Sequence, residues 1–207
     1  MRSLLEPRGE RAAAERMTAL AFADSLGSGT ARKAPWLARL AARRGGAEGD
    51  ALELLEQGDP VSRNRAMPGI LEARCDVVAE LERWDLADEA VSEARAFAER
   101  ALLDVLPFHA DRLAGRAALA RGDLEPAADA LTRARDGLAS FGARWEAAVA
   151  GLWLAEALAH AGAGAEARRA VEAALAVFEE LRSVRELDEA RALVGLLEMP
   201  DRKTGGS

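Results

Sequence analysis

Gly122-Asp123-Leu124-Glu125-Pro126-Ala127 reads as one helix stopping and the next one starting. Gly122 can take the left-handed backbone that closes a helix. Asp123 is a capping residue, and Pro126 falls in the first turn of the next helix, where its missing N–H costs nothing. The same punctuation stands forty residues away on either side, in Glu82-Arg83-Trp84-Asp85-Leu86-Ala87 and in Gly162-Ala163-Gly164-Ala165-Glu166-Ala167. A small residue precedes each turn by seven positions: Cys75, Gly115 and Ala155. These would let the two helices of a hairpin touch, as would Ala87, Ala127 and Ala167 from the second helix. A fixed period of this size marks stacked helical hairpins, each leaving apolar surface that only a neighbour can cover.

Composition agrees with an all-α chain. Half of the 207 residues are hydrophobic, 30% are charged, and aromatics make up only 4%, with no tyrosine. Much of the apolar fraction is alanine, the strongest helix former and the one that permits close helix approach. The net charge of −7 disfavours direct nucleic-acid binding through the field of the whole molecule. Cys75 is the single cysteine, so no intramolecular disulfide can form, which fits a reducing compartment. Charges at Glu6, Arg8, Glu10 and Arg11 argue against a signal peptide, and no apolar run reaches the ~20 residues of a membrane span. The expectation is a cytoplasmic protein with no membrane partner.

Working outward from the central turn, hairpins are predicted over about 63–100, 105–141 and 143–182, followed by a capping helix over 184–198. Upstream, residues 10–62 are predicted as helices at about 10–26, 31–44 and 47–57, a candidate degenerate repeat. Gly58-Asp59-Pro60 closes the last of these, with Ser62 expected to cap the following helix. Residues 1–9 and 199–207 are expected to be flexible ends.

No constellation for bond chemistry emerges. Gly27-Ser28-Gly29-Thr30-Ala31-Arg32-Lys33 lacks the Gly-Lys pair of a phosphate-binding loop. His109 and His160 are the only histidines. Glu156 stands one turn before His160, but a metal would need further ligands, so both are read as helix-surface histidines. Carboxylates mostly alternate with arginines at helical spacing, Arg95–Glu99 being typical. Ser92, Ser140 and Ser183 have no nucleophile context, and Cys75 fills a small-residue slot as a buried thiol. Trp84 and Trp153 are read as packing residues, and Trp145 as partly exposed. The expectation is a protein that is not an enzyme and uses no cofactor or metal.

The middle hairpin, with Gly115, Gly122, Asp123, Leu124, Ala127 and Ala134, resembles the tetratricopeptide repeat. Ala155, Gly162, Ala167 and Ala174 follow the pattern in the third hairpin, and Cys75, Trp84, Ala87 and Ala94 in the first. Glu82 departs from the usual glycine, the residue after Gly162 is not Asp, and the period exceeds the usual 34 residues. The stretch Asp111–Asp123, with Phe141–Glu146 and Leu154–Leu158, resembles the C-terminal arms of bacterial nucleotide-cyclase/ATPase proteins and LuxR-type transcriptional regulators.

Over residues 63–198 the resemblance implies a right-handed superhelix of antiparallel helical hairpins. Its concave groove would bind a peptide or helix without catalysis, in signalling or transcriptional control. Carried over position by position, the groove would be lined by Glu72, Asp76 and Glu80, then His109, Arg112 and Arg116, then Leu152, Glu156 and His160. Arg112 and Arg116, one turn apart, would hold a carboxylate. Two alternatives stand beside this. One is a homodimer formed through the apolar residues Leu193, Leu196 and Leu197 of the end helix. The other is an effector domain with a small ligand near Trp153.

Overall fold

The computed structural model describes residues 30–43, 48–56 and 60–198. Among them lie nine helices and no strand: α1 (Thr30–Arg43), α2 (Glu48–Glu56), α3 (Pro60–Glu80), α4 (Trp84–Ala101), α5 (Leu106–Arg121), α6 (Leu124–Ser140), α7 (Arg144–His160), α8 (Gly164–Leu181) and α9 (Val184–Glu198). The helix predicted over 10–26 and both chain ends lie outside the described residues. No described helix is long and apolar enough to cross a membrane.

The chain divides into two compact units, Met1–Val77 and Val78–Ser207, with the division falling inside α3. In the first unit α1 buries Ala34, Ala38 and Ala42, one face at a spacing of four. Helix α1 packs on α2, which buries Ala51 and Leu55. Arg39 Nε donates to Asp76 Oδ2 at 2.6 Å, tying α1 to α3. Ser62, expected from its sequence position at the N-cap of α3, lies instead inside the helix. The helix already starts at Pro60, because a proline at the first helical position gives up an N–H that has no intrahelical partner.

In the second unit each helix from α4 to α9 packs on the next in the chain. The turns between them share one geometry. Left-handed residues fall at Glu82, Leu102, Gly122, Gly142, Gly162 and Arg182, one every twenty residues, with φ between 53° and 83°. After each comes an N–H that donates to the carbonyl five residues back: Arg83 to Val78, Leu103 to Ala98, Asp123 to Ala118, Ala143 to Leu138, Ala163 to Leu158 and Ser183 to Phe178, at 2.9–3.0 Å. This bond satisfies a carbonyl that a helix end would otherwise orphan. Glu82 takes the left-handed geometry without being glycine. Asp123 stands at the N-cap of α6, but its side chain makes no capping bond; the backbone geometry alone sets that start.

Helices α4, α6 and α8 are amphipathic and bury one face in register. Ala87, Ala127 and Ala167 correspond, as do Val91, Leu131 and Val171, then Ala94, Ala134 and Ala174, then Ala98, Leu138 and Phe178. Helices α5 and α7 are different. Each lies between two neighbours and is buried nearly all round, α5 through residues from Leu106 to Leu119 and α7 through a near-continuous run from Ala147 to Ala157.

Candidate functional site

Two features of the second unit use opposite sides of α7. On one side, Arg116 of α5 reaches Glu156 of α7, Nη1 donating to Oε2 at 2.7 Å. The Arg116 guanidinium also lies 5.5 Å from the centre of the Trp153 ring, in the range of a cation–π contact. The arginine and the glutamate are 23% and 36% exposed at their side chains, so the cluster is half-open to water. It puts a cation, an anion and an aromatic ring on one patch.

The other expected groove residues have separate surroundings. His109 and Arg112 are buried, at 5% and 3% exposure, and Leu152 is buried at 5%. Reading His109 as a surface histidine is therefore corrected: α5 has helices on both sides, leaving almost no solvent face on which to place it. Asp76 is engaged by Arg39 within the first unit. Glu80 is held 2.5 Å from Arg185 at the start of α9. Burial works against the Arg185 charge, but the Glu80 and Glu189 carboxylates outweigh it and raise the arginine's pKa above its ordinary value. Glu72 is half-buried in α3, and His160 is exposed at the end of α7. Of the nine residues, the structure brings Arg116 and Glu156 together. Among the described residues no group of three His, Cys, Asp or Glu side chains is placed to hold a metal ion.

On the other side of α7, a cavity of about 620 Å³ opens between α6 and α8, with α7 as its floor. Gly151 and Ala148 floor it, alanines of α8 form one wall, and Arg135, Arg144 and Arg169 stand around it with Asp129 and Glu166. One hundred degrees per residue puts Trp153 and Glu156 more than a third of a turn away from Gly151, so the two features do not compete for the same face.

Sequence reasoning missed a third arrangement. Asp111 of α5 is buried at 10% side-chain exposure between two arginines. Its Oδ1 accepts from Arg95 of α4 at 2.5 Å and its Oδ2 from Arg133 Nε of α6 at 3.2 Å. Arg95 thus reaches across to a more buried carboxylate on α5, where spacing had implied Glu99 on its own helix. The Arg116–Glu156 pair did carry a sequence signal, since opposite charges stand forty residues apart at one position of the period.

No family model, no curated protein and no solved structure matches this chain.

Proposed function

We propose that this chain is a non-catalytic protein-interaction module, a right-handed superhelix of tetratricopeptide-like hairpins that binds an acidic peptide or helix across α5 and α7. The observation that carries this reading is the half-exposed Arg116–Glu156 couple laid over Trp153. This ion pair is half-open to water, which screens its contribution to folding, so Arg116 can exchange Glu156 for a partner's carboxylate. Bacterial signalling or transcriptional control is the setting that the resemblance supplies.

Self-association is the second reading, favoured by α9. Val184 and Leu196 are 68% and 66% exposed there, and only Glu186 and Ala190 of that helix are buried. Affinity capture with wild type and Arg116→Glu as baits, with light scattering on both, tests the two together. A protein partner captured by wild type and lost in Arg116→Glu is the expected result. Equal capture by both baits, or a stable dimer with no partner, would sink the peptide-binding reading; the dimer would favour α9. Arg112 is left unchanged in this test because a charge reversal at a buried site would unfold the helix.

A further inference from the structure

The cavity between α6 and α8 has a counterpart interval between α4 and α6, forty residues earlier. At three of the corresponding positions the earlier interval carries a larger side chain, while Val177, Leu154 and Leu158 of the later one replace Gly137, Ala114 and Ala118. Phe108 stands where the later helix has Ala148, Asp111 where it has Gly151, and Arg133 where it has Ala173. The Phe108 ring lies over Gly137, so close that a Cβ there would come within 2.3 Å of it. Asp111 sits clamped between Arg95 and Arg133. In the first interval between outer helices, the helix beneath thus supplies an aromatic ring and a carboxylate.

In the later interval the ring and the carboxylate are absent, but the guanidinium that received the carboxylate is kept. Arg135 corresponds to Arg95. Its Cδ lies 3.8 Å from where a Gly151 Cβ would be, so its side chain crosses the glycine that replaces Asp111. The second arginine of the clamp has moved one turn along α8, from the position of Ala173 to Arg169, and still borders the cavity. Three arginines face two carboxylates around the opening, Asp129 and Glu166. Arg135 pairs with its exposed neighbour Asp136, and Arg169 lies 4.0 Å from Glu166. Exposed pairs of this kind exchange easily for a better-desolvated partner.

We propose that this cavity is a binding site for a small aromatic carboxylate. The ring takes the place of Phe108, against Ala148 and the alanines of α8, and the carboxylate takes the place of Asp111, beside Arg135. The volume of about 620 Å³ falls within the range of roughly 300–1,000 Å³ usual for small-molecule sites. Guanidinium and carboxylate match in planar, two-point geometry, which selects the anion over a neutral ring. The site lies on the face of α7 turned away from Arg116 and does not depend on the peptide-binding reading.

Calorimetric titration with 2-naphthoate, and with 2-naphthylmethanol as its neutral counterpart, tests the proposal on the full chain. Gly151→Asp restores the missing carboxylate from within; a Cβ at 151 meets neighbours only at 3.8–3.9 Å, ordinary contact, so the backbone accepts it. Arg135→Ala, on an exposed outer helix, removes the anchor without touching the core. Naphthoate binding to wild type, weakened about tenfold or more in either variant, is expected for the loss of a charge-assisted hydrogen bond, with the alcohol weaker by a similar factor. Absence of naphthoate binding to wild type overturns the proposal. So does equal binding of acid and alcohol, or undiminished binding in Gly151→Asp with Arg135→Ala. A dimer that Gly151→Asp dissociates, with no naphthoate bound, would give the cavity to a second copy of the chain and would also overturn it.

Discussion

Glu82, Leu102 and Arg182 hold left-handed backbone at φ 53–55°, where a side chain costs roughly 1–2 kcal/mol. They persist because the N–H that follows each is bonded back to the helix, and the packed hairpin fixes the turn. Glycine removes the steric cost but adds freedom to the unfolded chain. Glu82→Gly should therefore stabilise the protein by about 0.5–1 kcal/mol, read as a higher urea midpoint at unchanged slope. A lower midpoint would mean that the Glu82 side chain contributes more than its backbone costs. Elsewhere residues fit one another by exchange of size. A Cβ on Gly115 would lie 2.5 Å from Leu131 Cγ, whereas Ala155, forty residues on, shares a cluster with the shorter Val171. Phe108 over Gly137 becomes Ala148 with Val177, a smaller total, and the difference is part of the open space between α6 and α8. Volume is conserved across the first pair and lost across the second.

Helices differ by how many neighbours they have. Helices α4, α6 and α8 keep one solvent face and a clean amphipathic pattern. Helices α5 and α7, covered on both sides, are buried almost all round, α7 through apolar and small residues and α5 with His109, Asp111 and Arg112 among its buried set. Between elements, surface arginines bridge to carboxylates. Arg144 at the start of α7 holds Glu180 near the end of α8, and this hydrogen bond and charge lower the glutamate's pKa below its ordinary 4.5. The folded value lies below the unfolded one, so the pair contributes stability above pH 4.5 and loses it as pH falls through the folded value. Carboxyl NMR titration should place Glu180 below 4.5 in wild type and return it towards 4.5 in Arg144→Ala. A value unchanged by the substitution would remove the ion pair from the account. Both groups are exposed, so added salt should narrow the difference.

At the scale of the second unit, stability follows position in the stack. Helices α5, α6 and α7 have packed neighbours on both sides, while α9 rests chiefly on α8 and buries little of its length. Terminal elements of a stack open first. Amide exchange should show the weakest protection in α9 and the strongest in α5 to α7; equal protection throughout would mean the unit opens only as a whole. Much of this architecture was legible in the chain. The glycines at 122 and 162, the alanines at 87, 127 and 167, and the forty-residue spacing located every helix of the second unit, because helix ends and close contacts are local demands on residue type. The turn at Glu82 was legible only from its neighbours, since no local signal asks a glutamate to be left-handed. The candidate sites were far less legible. Exposure of His109, Arg112 and Leu152 depended on how many helices cover α5 and α7, which periodicity along one helix does not report. The cavity depended on three absences at once, at 148, 151 and 173, on two different helices. Sequence alone determined the helices of the second unit and the turns between them, because those follow from backbone preference and apolar spacing. Only the tertiary structure decided which charges meet and where a space is left open, because both are set by side chains brought together from helices distant in the chain.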